Sequence, residues 1–552
     1  MNSKPGTTDL DGLYEALRLQ PEDQAAMETL QERFHDPSSE WAKYHKEFQP
    51  VCHAALTAVA RHSGHLPNNL CRLAARQVCV RHGLGRADVP VTAALMAAIS
   101  EDALCGLMLT GSINFSLPLE RFLTGARRYL LGRRKEREFL SRVRPLLIAL
   151  AHQGFNNEFV WAVTDEEGQV VSVLGEELGT ILRTGGVMTA ELPLLLYSLY
   201  RPLAAHPEAD MLAAAPLSHF AADLHTLIVR ALLEPRREAE LREAVPALEE
   251  VQDRVSRSVR AQYEESPYPR WLKFTREPQS IESRLRRVRP GFAPPTKPGG
   301  EPRHILVAGC GTGRHSLSVA LGNPDAKILA VDLSSASLAY AMRMTERYGV
   351  SNIQFLQGDL LALPRLGRKF HHIECGGVLH HIRDHAAAWA VLSGCLHPGG
   401  TMRIGVYSKA ARLLVSHLRA CIQQEGVGVA PAEVRRFRAR LLTEPAWAKL
   451  VPLLEESNDF FSLSMTRDLL FHVQEYQYTV SEIENIVQGL GLELVGVHHP
   501  SGLRGRIKSK DAAASTGVRT FAQWRACEAA YVGSLEMFQF WLHKKEPASL
   551  GL

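Results

Sequence analysis

The 552-residue chain has little that would tie it to disulfides, a membrane or a polyanion. Its nine cysteines are scattered and form no C-x-x-C pair, so neither a disulfide framework nor a zinc ribbon is indicated. Cys71, Cys79, Cys105 and Cys421 sit among apolar residues and read as small packing residues. No apolar run nears the roughly 18 residues of a membrane span, and Val91 to Ile99 reaches about half of that. Lys and Arg number 63 against 59 Asp and Glu, a net charge of +4 that gives no argument for nucleic acid. The start, MNSKPGTTDLDG, has no apolar segment after its lysine, so no secretion signal or membrane partner is expected and the cytoplasm is the expected compartment. What is present is ordinary for a folded protein: 45% hydrophobic and 22% charged residues. The length suits two to four domains at roughly 100–200 residues each.

The texture changes twice along the chain. From Leu10 to Leu248 apolar residues recur at helical spacing, as in Leu10, Leu13 and Leu17, and an all-helical domain is expected over 1–255. LRLQPED (Leu17 to Asp23) resembles the tail of one helical repeat unit, but no repeat of about 34 residues follows. Arg127, Arg128, Arg133, Arg134, Lys135 and Arg137 read as a solvated basic face. Residues 256–300 read as a strap and linker: the prolines of YEESPYPRW (Tyr263 to Trp271) forbid a regular helix, and GFAPPTKPGG closes the segment. From 301 onward short apolar runs alternate with amphipathic helices, the pattern of a parallel βα sheet. Strands are expected at Ile305–Ala308, Lys327–Val331, Asn352–Leu356, His372–Glu374, Met402–Tyr407, Leu492–Val497 and Phe538–His543. A helical insertion is expected at about 410–477, where Arg435, Arg436, Arg438 and Arg440 read as solvated. Asp384 is the expected cap of the helix before LHPGG, and Ser481-x-x-Glu484 reads as a capping box.

The chemistry lies at the strand ends. The first strand runs into Gly309-Cys310-Gly311-Thr312-Gly313, where glycines let a ligand approach the backbone at a helix start. A dinucleotide fingerprint wants a small residue three after Gly311, and Arg314 stands there instead. Asp332 ends the second strand, where a carboxylate can accept both ribose hydroxyls or cap the next helix. Asp359 follows the third strand and can take an adenine amine, with the Leu360 amide on the ring. The fourth strand leads into ECGGVLHHIRDH, beside the reactive end of any ligand held there. His380 and His381 can line the pocket, act as a base or simply pack, since an ordinary histidine titrates near pH 6.5. His381 and His385 have a metal-binding i,i+4 spacing, but no matching cluster accompanies them, and no metal is expected. Tyr268, Arg270 and Trp271 could cover the ligand as a lid, with Arg270 on a carboxylate, or form a rigid strap. Tyr407 faces the expected substrate space past the fifth strand.

The G-x-G-x-G loop and the four elements after it resemble class I S-adenosylmethionine-dependent methyltransferases over Arg303 to Tyr407. ILVAGCGTGRHSL, VDLSSASLAYAMR, IECGGVLHHI, LHPGGTMRIGVYS, DFFSLSMTRDLLFHVQE, EMFQFWLHKK and YEESPYPRW resemble bacterial methyltransferases often fused to tetratricopeptide repeats. The resemblance implies an α/β fold: a seven-stranded Rossmann-like sheet over 301–552 with an antiparallel last strand, behind an all-α N-terminal domain. It implies that Gly309, Gly311 and Gly313 wrap the methionine end of S-adenosylmethionine, with Cys310 and Leu333 beside them. Asp332 would then hold its ribose, and Asp359 and Leu360 its adenine. Val307 departs from the wider superfamily, where an acidic residue helps anchor the amino group. By analogy, the arrangement of a helical domain before the sheet slightly favours a protein or peptide side chain as acceptor, with a small molecule as runner-up. A nicotinamide-dependent oxidoreductase and a non-catalytic adaptor that keeps the fold are the alternatives.

Overall fold

Apolar runs flanked by amphipathic helices call for a sheet covered on both faces. The computed structural model describes residues 10–33, 47–85, 89–248, 253–274, 278–292, 301–498 and 517–546. Most of the GFAPPTKPGG linker lies outside them. The described residues fall into two compact units, Met1–Arg236 with Gly428–Thr466, and Arg237–Val427 with Arg467–Leu552.

The second unit is built on one seven-stranded sheet of order β3-β2-β1-β4-β5-β7-β6. The strands are β1 His304–Ala308, β2 Lys327–Asp332, β3 Ile353–Gln357, β4 Phe370–Gly376, β5 Leu396–Tyr407, β6 Leu492–His498 and β7 Met537–Lys544. β1 to β5 run parallel, and β7 is antiparallel to both β5 and β6. All seven expected strands are present. Their bounds agree to within two residues except in β5, which begins at Leu396 and so takes in LHPGG; a register shift between Phe370 and His372 absorbs the extra residues. Alternation along the strands makes two apolar layers. Leu306, Ile373, Ile404 and Phe540 bury one face under Trp389, Leu392 and Ile483. Ile305, Val307, Ile328 and Trp541 bury the other under Ile281, Leu285 and Val319.

Caps follow local chemistry. The Asp384 side chain accepts the Ala387 N–H at 3.0 Å, as expected. The capping box before β6 is Thr479 with Glu482, not Ser481 with Glu484. The reason is apolar phase: Val480, Ile483 and Val487 are the buried residues of the helix Val480–Gly489, and a start at Ser481 would leave Val480 outside it.

The first unit is helical throughout its described residues, and Gly428–Thr466 supplies part of its core. Two expectations of solvated arginines fail here. Arg127 is buried, its guanidinium 4.2 Å from the Tyr200 ring centre and donating to the Ala162 carbonyl. Arg438 is buried against Glu120, with a further bond from Nε to the Phe460 carbonyl at 2.8 Å. Arg435 donates to the Phe159 carbonyl at 2.6 Å. Isolated buried charges are costly, so a basic run inside an amphipathic helix can mark a paired interior rather than a wet face. Among the described residues no single helix is long and apolar enough to cross a membrane.

Candidate functional site

Parallel strands leave their carboxyl ends along one edge, and a cavity of about 410 Å³ opens there. The turn after β1 is its floor. Gly309, Gly311 and Gly313 have φ of 68°, 52° and 80°, a region that favours glycine. The amides of Gly309 and Cys310 both donate to the Val331 carbonyl, at 2.8 and 3.0 Å, which ties the loop to the end of β2. A Cβ on Gly311 would stand 2.6 Å from the Tyr268 carbonyl oxygen, and one on Gly313 2.5 Å from the Ala341 Cβ. Gly309, Cys310 and Gly311 line the cavity; Gly313 lies behind it as the N-cap of the helix Arg314–Gly322.

Asp332, Leu333, Asp359 and Leu360 line the same cavity. The Asp332 carboxylate accepts the Gly311 N–H at 2.7 Å and the Ser334 N–H at 3.0 Å, one on each oxygen. A carboxylate accepts about four hydrogen bonds, so capacity for a diol is left over. Burial pushes the Asp332 pKa up to about 6 despite those two amides. Asp332 is not the cap of the helix Ser335–Arg347; the Ser334 side chain is. Asp359 does cap, accepting the Leu361 N–H at 3.0 Å while it lines the cavity.

At the tip of β4, Gly376 and Gly377 line the cavity, and a Cβ on either would meet nothing within 4 Å. That open wall is a cradle for a ligand. The two histidines part company beyond it. His380 is fully buried away from the cavity, stacked 3.9 Å from the Tyr407 ring and accepting the Tyr407 N–H on Nδ1 at 3.3 Å. Burial, with His381 and Arg412 nearby, holds its pKa well below the usual value. His381 lines the cavity, its Nδ1 2.8 Å from the Gln474 carbonyl oxygen. The Tyr407 ring lies between His380 and the Arg412 guanidinium, 3.8 Å from the latter, and also lines the cavity.

The proline-bounded segment splits in the same way. Tyr268 and Pro269 line the cavity, whereas Arg270 and Trp271 do not. Trp271 is buried, donates its indole N–H to the Thr312 carbonyl at 3.0 Å and packs on Tyr340. Glu264, just upstream, accepts the Ser335 and Ala336 amides at 2.9 and 3.0 Å, a carboxylate on a helix N-terminus. The segment is therefore pinned to the glycine loop at one end and to the helix after β2 at the other.

At the height of Val307 the sheet does carry an acid, on the neighbouring strand. Glu374 of β4 is in register with Val307 and fully buried. Its oxygens face Arg284 at 2.7 Å, His315 at 2.9 Å, His372 at 3.2 Å and Arg403 at 3.3 Å. Burial raises its pKa, but Arg284 and His315 outweigh that and hold it well below the usual range. Glu374 does not line the cavity, while Arg314, His315 and Arg403 do.

Motif reading missed the far wall. Tyr263 and Asp468 line it, and Tyr263 donates to Asp468 Oδ1 at 2.6 Å. His472 Nε2 is 3.1 Å from the same phenol oxygen, and the His472 and His381 rings stack at 3.5 Å. These residues come from the helix Arg254–Glu265 and from the end of the expected insertion, so no local spacing could join them. The quoted strings YEESPYPRW and DFFSLSMTRDLLFHVQE contain all three.

The profile of a family described as Methyltransferase domain matches residues 305–400. An uncharacterized protein of Synechococcus sp. (strain ATCC 27144 / PCC 6301 / SAUG 1402/1) is 32% identical over 212 residues, 36% of this chain and 48% of that protein. The trans-aconitate 2-methyltransferase of Deinococcus radiodurans is 28% identical over 150 residues, 27% of this chain and 55% of that enzyme. The chain thus spans about half the length of these relatives. A solved structure of PKMT2 from Rickettsia typhi in complex with AdoHcy is 17% identical, with a TM-score of 0.35, and covers 50% of this chain and 55% of that one.

Proposed function

We propose that this chain, whose sheet carries a class I S-adenosylmethionine-dependent methyltransferase domain, transfers a methyl group to a side chain of a protein or peptide. One observation carries the activity: the tips of β1, β2, β3 and β4 all contribute walls to a single cavity. The residues there fit the cofactor. The glycine loop at Gly309 to Gly311 would wrap its methionine portion with bare backbone, Asp332 would take its ribose, and Asp359 with Leu360 its adenine. Arg314, His315 and Arg403 beside Val307 would suit the carboxylate of its amino-acid end. When bound, S-adenosylmethionine supplies an electrophilic methyl on a sulfonium.

What the chain must add is alignment and dryness. The pinned strap, with Tyr268 over Gly311, supports a fixed cover in preference to a moving lid. His380 serves by position, holding the Tyr407 ring and backbone. His381 is the histidine with access to the acceptor. Protein is favoured as acceptor because the site is complete within the sheet unit, which leaves a helical unit with its own core for recognition. A small molecule is the second reading, supported by the Deinococcus relative, which is named for trans-aconitate.

The deciding experiment is labelled-methyl transfer to a lysate of cells lacking this protein, resolved into protein and small-molecule fractions. Label in protein is expected; label only in small molecules overturns the acceptor but keeps the activity. Titration with S-adenosylhomocysteine and with NAD(P) separates the rest. Heat with neither leaves an adaptor, and heat with NAD(P) alone an oxidoreductase.

A further inference from the structure

We propose that the cavity grips its nucleoside ligand by a carboxylate on the ligand's tail and gives the amino group of that tail no acidic partner, with Glu374 as the positioning residue. The proposal rests on the methyltransferase reading above and names the end group of S-adenosylmethionine that the site selects.

Strand register puts four residues in one row across the sheet: Val307 on β1, Glu374 on β4, Arg403 on β5 and Trp541 on β7. Residues paired in register share a face, here the one covered by Ile281, Leu285 and Val319. Two charges therefore stand side by side between two apolar members of that layer. Glu374 is closed in by Arg284 from the covering helix, His315 from the helix after the glycine turn, and His372 from its own strand. His372 is itself held, stacked 5.4 Å from the Trp541 ring with Nδ1 2.8 Å from the Thr401 hydroxyl. Arg284 lies 5.0 Å from the same indole ring. The acid is thus sealed from the cavity, and what it does there it does through its neighbours.

Arg403 is the neighbour that reaches the cavity. One terminal nitrogen donates to Glu374 at 3.3 Å and the other to the side-chain oxygen of Gln539, and both Arg403 and Gln539 line the cavity. A guanidinium tied at two nitrogens has its plane set before a ligand arrives, which lowers the cost of ordering it on binding. Arg314 and His315 line the cavity from the start of the helix after the glycine turn. The acids that line it lie at other places: among the described residues they are Asp332 at the β2 tip, Asp359 after β3 and Asp468 on the far wall. A ligand tail running past Val307 toward β5 therefore meets basic side chains and an apolar one. A carboxylate on that tail gains charge-assisted hydrogen bonds, whereas an ammonium finds a valine where an acid would attract it and a guanidinium that repels it.

Calorimetry on the full chain with three ligands tests this. They are S-adenosylhomocysteine, the same thioether with hydrogen in place of its amino group, and the same thioether with hydrogen in place of its carboxylate. The desamino ligand should bind within about threefold of the parent, and the decarboxylated one at least about tenfold more weakly, the scale of a hydrogen bond to a charged group. Glu374→Gln then separates positioning from charge. Removing a negative charge would by itself tighten carboxylate ligands, whereas removing a positioning residue loosens them. The preference for the parent over the decarboxylated ligand should fall below about threefold in Glu374→Gln and in Arg403→Gln, which keeps the pairing of Glu374 with Arg284. A ratio taken on one protein does not depend on the fraction that is folded. A desamino ligand tenfold weaker than the parent, or a decarboxylated one as tight as the parent, overturns the inference and leaves the methyltransferase reading standing. So does a preference that holds or rises in Glu374→Gln, or holds in Arg403→Gln. Absence of binding by all three ligands removes the underlying reading, and this inference with it.

Discussion

The two units bury charge in different ways. In the helical unit the buried guanidinium of Arg438 meets Glu120, a partner more than 300 positions away, and Arg435 reaches the Phe159 carbonyl. In the sheet unit the buried acid Glu374 sits in the middle of β4, ringed by groups from neighbouring strands and helices beside the cavity. The first pair has only structure to hold. The second orders Arg284, His315 and Arg403 around one acid, and two of these, His315 and Arg403, line the cavity. The lesson concerns where function is written: βα order brings chemistry to strand ends in sequence, whereas helix packing joins residues with no local signature.

The comparison breaks most visibly at Arg438. Arg438→Met leaves Glu120 buried without its partner and should cost about 3–5 kcal/mol, read by chemical denaturation. Adding Glu120→Leu should recover most of that loss, since a packed apolar pair often equals a buried ionic one. A single variant that costs under about 1 kcal/mol would make the pair no better than a surface contact.

Asp332 is the counterpart in the sheet unit, a carboxylate for which a ligand role is proposed. Asp332→Ala should weaken S-adenosylhomocysteine by about 1.5–3 kcal/mol, roughly 10- to 150-fold. Unchanged affinity would reduce it to an anchor for the Gly311 amide. pH sharpens the same point. The pKa of Asp332 is raised, to about 6, and ribose hydroxyls would donate to its ionised form. Binding therefore favours loss of the proton, and affinity should fall as pH drops below about 6, by up to tenfold per unit. Asp332→Asn should flatten that slope. For folding without ligand the sign reverses: the native state holds this proton more tightly than the unfolded chain, so the contribution of Asp332 to stability declines as pH rises from about 4 to about 6.

How much was legible follows from the same division. Apolar runs and glycine turns are local, so all seven strands and the parallel run of β1 to β5 could be read directly, as could the places of Gly309, Asp332 and Asp359 at the tips; the antiparallel β7 came only with the family resemblance. Arg127 and Arg438 could not, because only tertiary partners turn an apparently wet face into an interior. Glu264, Tyr263 and Asp468 escaped for a related reason: the strap and the end of the insertion meet only in the folded chain. His380 and His381 are adjacent in sequence yet take opposite roles, because one short helical turn sends one ring under Tyr407 and the other into the cavity.

The smallest effect tests sequence reading at single-residue resolution. YTVSEIEN contains two overlapping capping patterns, Thr479 to Glu482 and Ser481 to Glu484, and local chemistry does not choose between them. The fold does: Tyr478 donates its amide to the Tyr407 carbonyl at 2.9 Å, which holds the chain extended up to Thr479 and places Val480 on the buried side. Thr479→Ala should therefore cost about 1 kcal/mol in chemical denaturation, the usual worth of an N-cap. Ser481→Ala should cost no more than a few tenths, since alanine suits a helix's first turn. Equal costs would mean that the helix frays to either start, and that the segment beside Tyr407 is held less firmly than its hydrogen bonds imply.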